Sequence, residues 1–170
     1  KFEKTHLITF GLLVVFGGVT IAISDPAFIM WKVSVLYVVF AAALIISIWI
    51  GKKTLLQRML GKELELPKQV WNQLTWLWGL GFVGIAIVNG YYVKLALAAR
   101  ALLFSSTDLD PKIELTELDC TTTTMQDLCL VAQHTEESWV NFKLFGTMGL
   151  TFILIIITVV MIGKYTKQEN

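Results

Sequence analysis

Apolar residues along this chain fall into long runs that no charged side chain interrupts. Leu7 to Ile23 (17 residues), Val33 to Ile50 (18), Trp76 to Val93 (18) and Leu144 to Ile162 (19) contain no Asp, Glu, Lys, Arg or His. At about 1.5 Å per residue each run covers roughly 26 to 29 Å as a helix, close to the roughly 30 Å apolar thickness of a bilayer. Every charge lies outside these runs, as lipid demands when a charge at the bilayer centre costs about 2.5 to 3.5 kcal/mol. A membrane-barrel strand would alternate apolar and polar positions, and Phe152-Ile153-Leu154-Ile155-Ile156-Ile157 does not. The pattern predicts an all-α, polytopic transmembrane helix bundle forming one membrane domain over residues 1–170. Its four spans are expected at about 7–23, 33–50, 76–93 and 144–162.

Composition sharpens what is excluded. The 170 residues are 55% hydrophobic and 16% charged, with mean hydropathy +0.67, against about 45–50% apolar and 25% charged in a soluble domain. A net charge of +1 offers no basic excess to grip nucleic acid. Two cysteines cannot make a four-thiolate zinc site and two histidines leave little for a histidine-based one, so metal-dependent chemistry is disfavoured and no metal is expected. No Ser/His/Asp or Cys/His constellation, phosphate loop or pair of membrane-facing carboxylates presents itself, and neither an enzyme nor a cofactor is expected.

Loop charges orient the chain. Lys1, Lys4, Lys52, Lys53, Arg58, Lys62, Lys68, Lys164 and Lys167 lie on one side with four acids, net +5. The other side carries nine acids and five cations, net −4, mostly in an acidic insert over 94–138. Loops rich in Lys and Arg stay in the cytoplasm, so both termini are expected inside and the insert outside. The chain opens on Lys rather than Met, almost directly on an apolar run, which reads as truncation before Lys1. A signal peptide over residues 1–24 is the rival reading, although 17 apolar residues exceed the usual 7 to 15.

Three motifs carry a family resemblance. Phe28-Ile29-Met30-Trp31-Lys32-Val33-Ser34-Val35-Leu36-Tyr37 heads the second span. Lys52-Lys53-Thr54-Leu55-Leu56-Gln57-Arg58-Met59-Leu60-Gly61-Lys62-Glu63-Leu64, with Pro67 and Trp71, fills the inner loop. Trp139-Val140-Asn141-Phe142-Lys143-Leu144-Phe145-Gly146 precedes the last span. Together they resemble the intracellular septation protein A family of bacterial inner-membrane proteins, from about Thr5 to Val93 and from Ser138 to Tyr165. The resemblance implies a role in envelope biogenesis, envelope integrity and septation, with no catalytic residues to carry over. Family members have further membrane-spanning sequence before the position of Lys1, and the stretch from 94 to 137 is expected to lack a counterpart in them.

Each motif has a sharper and a plainer reading. As a helix, Lys53 to Leu60 would gather Leu55, Leu56, Met59 and Leu60 on one face and Lys52, Lys53, Gln57 and Arg58 on the other, a headgroup-plane pattern. Gly61 could end that helix and Pro67 open the next. The loop is then either a docking surface or a set of cations that enforces topology. Trp31-Lys32 and Trp139 with Lys143 either pair as a lipid-headgroup or wall-precursor site or anchor span ends separately. Asn141 would favour the first if it faced the bundle, whereas Asn89 is expected near water. Small residues four apart, such as Ala86 and Gly90, suit close helix packing. Cys120 and Cys129 could close a small surface disulfide. A quinone-linked thiol oxidase would need a second thiol pair. The expected function is a non-enzymatic envelope and septation factor acting through membrane lipids and cell-division or wall-elongation membrane proteins. A small-solute or lipid transporter is the alternative, and oligomeric state is not legible.

Overall fold

The computed structural model describes residues 26–50, 52–111 and 113–166; the span expected at 7–23 lies outside them. The order is α1 (Pro26–Trp49), α2 (Leu55–Leu60), α3 (Lys68–Ser105), a 3-10 turn (Leu115–Glu117) and α4 (Gln126–Asn141). A π turn (Phe142–Gly146) then leads into α5 (Thr147–Thr166). No strand occurs among the described residues. Three helical rods are long and apolar enough to cross a membrane: Pro26–Trp49, Lys68–Ser105 and Gln126–Tyr165. They contain the runs expected from 76 and 144 and all but Ile50 of the run from 33, and each begins several residues earlier. Lys94 to Ser105 is dominated by Ala, Leu, Lys and Arg, the best helix formers, and meets no Gly or Pro before Pro111.

At the centre stands α3, packing on α1, α4 and α5. Lipid supplies no hydrophobic drive for helix association, so close backbone approach has to provide it through dispersion contacts. A Cβ at Gly79 would lie 2.7 Å from Ile45 Cγ1, and one at Gly81 would lie 2.6 Å from Leu154 Cδ1. These two glycines therefore seat α1 and α5 against α3. Ala86 and Gly90 serve the same end near Ser34, while Gly84 faces open space. Trp78 Nε1 donates to Thr158 Oγ1 at 3.0 Å and adds a polar tie between α3 and α5.

Asn89 departs from expectation. Its side chain is fully buried, with Nδ2 donating to Ser34 Oγ at 2.9 Å, while that hydroxyl donates to the Ala86 carbonyl at 3.2 Å. The residue lies close to the end of its apolar run, but α3 continues beyond it and Met30, Val93 and Trp139 close over the next layer.

The stretch over 94–138 is not a solvated loop either. Helices α3 and α4 fill most of it, placing His134 and Glu136 on α4, and only Ser106 to Met125 connects them. The connection folds over a small core of Leu103, Leu115, Cys120, Cys129 and Ala132. Cys120 and Cys129 are disulfide-bonded. Gln133 Nε2 donates to the carbonyls of Leu115 and Leu118, at 2.6 and 2.8 Å. The Thr121 hydroxyl, and then its backbone N–H, hold the exposed Asp119 carboxyl below the usual carboxylate range. The contribution of that turn to stability is thus present near neutral pH and fades as pH falls through the lowered carboxylate range. Chain entropy alone makes the Cys120–Cys129 loop worth about 2 to 3 kcal/mol. The Cys120→Ser/Cys129→Ser variant is therefore expected to melt at a lower temperature, and an unchanged thermal midpoint would show that the core suffices without the bond.

Candidate functional site

Two assemblies sit at opposite ends of the bundle. The first is the lysine-rich loop. Thr54 opens α2 by accepting the Gln57 backbone N–H on Oγ1 at 3.2 Å, a hydroxyl cap that serves one of the orphan donors of the first turn. Gly61 closes the helix where a Cβ would strike the Gln57 carbonyl, and Pro67 stands at the entry to α3. The helix is shorter than the Lys53-to-Leu60 reading because Lys53 and Thr54 are spent on its entry. Ser47 Oγ fixes it to α1 by accepting the Leu55 N–H at 2.9 Å.

Beneath the loop, Leu56, Leu64 and Leu66 pack on Val70, Trp71 and Leu74 together with Met161, Ile162 and Tyr165 of α5. Trp71, expected among the partner or lipid contacts, is 1% exposed. It is a core residue that holds the loop to the helix ends. Lys52, Lys53, Arg58, Lys62 and Glu63 stay exposed. Arg58 Nε donates to the Lys53 carbonyl at 3.2 Å, tucking the guanidinium against the turn. Tyr165 OH donates to Gln73 Oε1 at 3.1 Å, joining the end of α5 to the start of α3.

The second assembly surrounds the π turn. Trp139 is 5% exposed, packed with Met30, Val93 and Ala96, so it is not the interfacial anchor that its place in the sequence suggests. Its indole N–H has no hydrogen-bond partner. Lys143 Nζ lies 5.1 Å from the centre of the Trp139 ring, a cation–π contact. The extra residue of a π turn rotates the chain between α4 and α5, and such bulges are frequent at functional sites. Gly146 is the residue that permits this one, since a Cβ there would run into the Phe142 ring. Phe142 stacks on Tyr92 with ring centres 5.0 Å apart. Thr147 Oγ1 donates to the Lys143 carbonyl at 2.6 Å.

Asn141 is exposed and does not face the bundle. Trp31 lies over Gly90. Met30, its neighbour in sequence, meets Trp139 in one cluster, so the two motifs at this end are brought to the same level of the bundle. Pattern reading missed Arg100 altogether. Its side chain is almost fully buried, with Nη1 3.2 Å from Glu136 Oε2 and Nη2 donating to the carbonyls of Pro111 and Ile113. Phe104 covers its guanidinium face. A lone cation in the expected insert carries no signal of that kind; its partner Glu136 lies 36 residues further on, on a helix that only the structure shows. Among the described residues no group of three or more His, Cys, Asp or Glu is placed to hold a metal.

The sequence model of the family described as intracellular septation protein A matches residues 1–101 and 119–169. Residues 102–118, inside the stretch expected to lack a family counterpart, and Asn170 fall outside it. The chain is also 38% identical to "Inner membrane-spanning protein YciB" of Salmonella paratyphi B, over all 170 of its residues and 74% of that protein. The proteins of the same name from Salmonella newport and Salmonella enteritidis show the same identity and coverage. No solved structure matches the chain.

Proposed function

Since the chain belongs to the intracellular septation protein A family, we propose that it acts in envelope biogenesis and septation as a non-enzymatic inner-membrane protein that works through protein and lipid partners. The observation that carries this reading is the build of the lysine-rich loop. A loop needed only to set topology has no use for a defined shape. Here a capped helix, a hydroxyl tie to α1 and a tryptophan core give a defined backbone to the segment that carries four exposed cations, Lys52, Lys53, Arg58 and Lys62. A preorganised backbone favours binding because less ordering entropy is left to lose on contact. The loop faces the cytoplasm in this reading, with anionic lipid headgroups and a membrane-associated cell-division or wall-elongation protein as its partners.

The test is a Lys52→Gln/Lys53→Gln/Arg58→Gln variant in cells that depend on the protein for envelope integrity. The expected result is normal membrane insertion with a loss of envelope function, and a loss of cross-linking to division or elongation proteins. Full complementation would remove the loop from the function. A reporter placed after Lys62 that faced the periplasm would remove the orientation.

A further inference from the structure

Between α1 and α5, floored by α3, runs a groove of about 470 Å³. Its walls include Val33, Tyr37 and Phe40 of α1, Phe82 of α3, and Thr147 and Thr151 of the α5 side. Phe40, Trp78 and Phe82 also line a second, wholly apolar cavity of about 500 Å³ that continues to Leu56 and Met59 of α2. From Val33 to Phe40 the groove itself follows α1 for about 10 Å of rise, and the second cavity carries the apolar surface on toward the lysine-rich loop. The hydroxyls of Thr147 and Thr151 donate to their own helix, to the carbonyls of Lys143 and Thr147, so the groove wall presents no free hydroxyl donor there. Among the described residues that line the groove, one is charged: Lys143, at its mouth.

We propose that this groove binds one acyl chain of an anionic phospholipid whose phosphate group meets the Lys143 ammonium. Charge complementarity and shape agree on this occupant. An apolar slot about 10 Å long takes the headgroup-proximal part of a single hydrocarbon chain, and a cation at the headgroup end favours a net negative headgroup over a zwitterionic one. The π turn is the device that serves the site. It carries Lys143 onto the Trp139 ring, where the ammonium is held by the aromatic face yet remains exposed at the mouth. Trp139 keeps its buried indole N–H unpaired at the same residue pair. This site lies on the other side of the bundle's apolar layer from the lysine-rich loop, and the proposal does not depend on the docking role of that loop.

The experiment uses the purified full chain in detergent, exchanged with phosphatidylglycerol or phosphatidylcholine of identical acyl chains, with bound lipid counted by native mass spectrometry. Phosphatidylglycerol is expected to be retained better, with Lys143 contributing about fivefold, the ratio that about 1 kcal/mol per cation implies. Lys143→Gln should lower the ratio about fivefold and Lys143→Arg should keep it. Thr151→Phe, which fills the groove, should lower retention of both lipids. Lys52→Gln/Lys53→Gln/Arg58→Gln removes the headgroup contacts proposed for the loop, and in that background Lys143→Gln should still lower the ratio about fivefold. Equal retention by the wild-type chain overturns the proposal, as does a ratio that Lys143→Gln leaves unchanged in the wild-type or in the loop-variant background. If Thr151→Phe fails to fold, the Lys143 pair decides alone; if it folds and retains both lipids as before, the groove is occupied by something other than lipid and the proposal falls.

Discussion

Replacing Arg100 with Leu is expected to destabilise the folded chain by about 3 to 5 kcal/mol, the cost of leaving one partner of a buried ion pair without the other. Three groups lose their donor at once. Glu136 would lose its counter-charge in a half-buried position, and the carbonyls of Pro111 and Ile113 would lose the bonds that hold the connection against α3. The damage should be local first: amide exchange between Ser106 and Met125 rises before the membrane rods respond. Arg100→Leu/Glu136→Leu should recover a good part of the loss, because a matched apolar pair has no charge left to desolvate. Hydrogen exchange and thermal melting of the two variants test this, and a wild-type melting curve for Arg100→Leu alone would show that the pair holds nothing.

The second large effect is expected at Trp71. Trp71→Ala removes the ring on which Leu56, Leu64 and Leu66 rest, together with its contacts to the last turns of α5. Truncating a buried aromatic costs about 3 to 5 kcal/mol. The loop should then come away from the helix ends, exposing Lys53, Arg58, Lys62 and Lys68 to trypsin. Faster cleavage in this segment, with the rods still embedded, is the expected outcome; cleavage at the wild-type rate would mean that α2 and its cap hold the loop unaided. Because cations on a loosened loop lose their defined backbone, the same variant should impair envelope function without changing a single charge.

Much of the architecture was legible because lipid is a severe solvent. It penalises every charge and every open backbone group, so charge-free runs starting near 33, 76 and 144 fall inside observed rods. Gly61 and Pro67 punctuate the inner loop where local chemistry says they should. What the runs could not give was their ends. Hydropathy stops at Val93, but helix propensity does not, and α3 continues for twelve residues to Ser105. Nor does sequence show which side chains meet across helices. Trp71 and Trp139 look like interfacial rings until the packing buries them, Asn89 looks wet until Ser34 is found against it, and Arg100 looks like an ordinary surface cation until Glu136 arrives from 36 residues away. In each case the role is set by a long-range neighbour, which no local window contains.

The length of α3 has a mechanical meaning. Its 38 residues reach about 57 Å, nearly twice the roughly 30 Å hydrocarbon layer. With α4 running alongside, the overhang forms a two-helix mast, cross-braced by Arg100 and Glu136 and clamped at its tip by Cys120–Cys129. A fluorophore or spin label at Thr122 would ride clear of the headgroups on a stiff support. Any tilt of the buried rods would be magnified into a displacement that such a label could register.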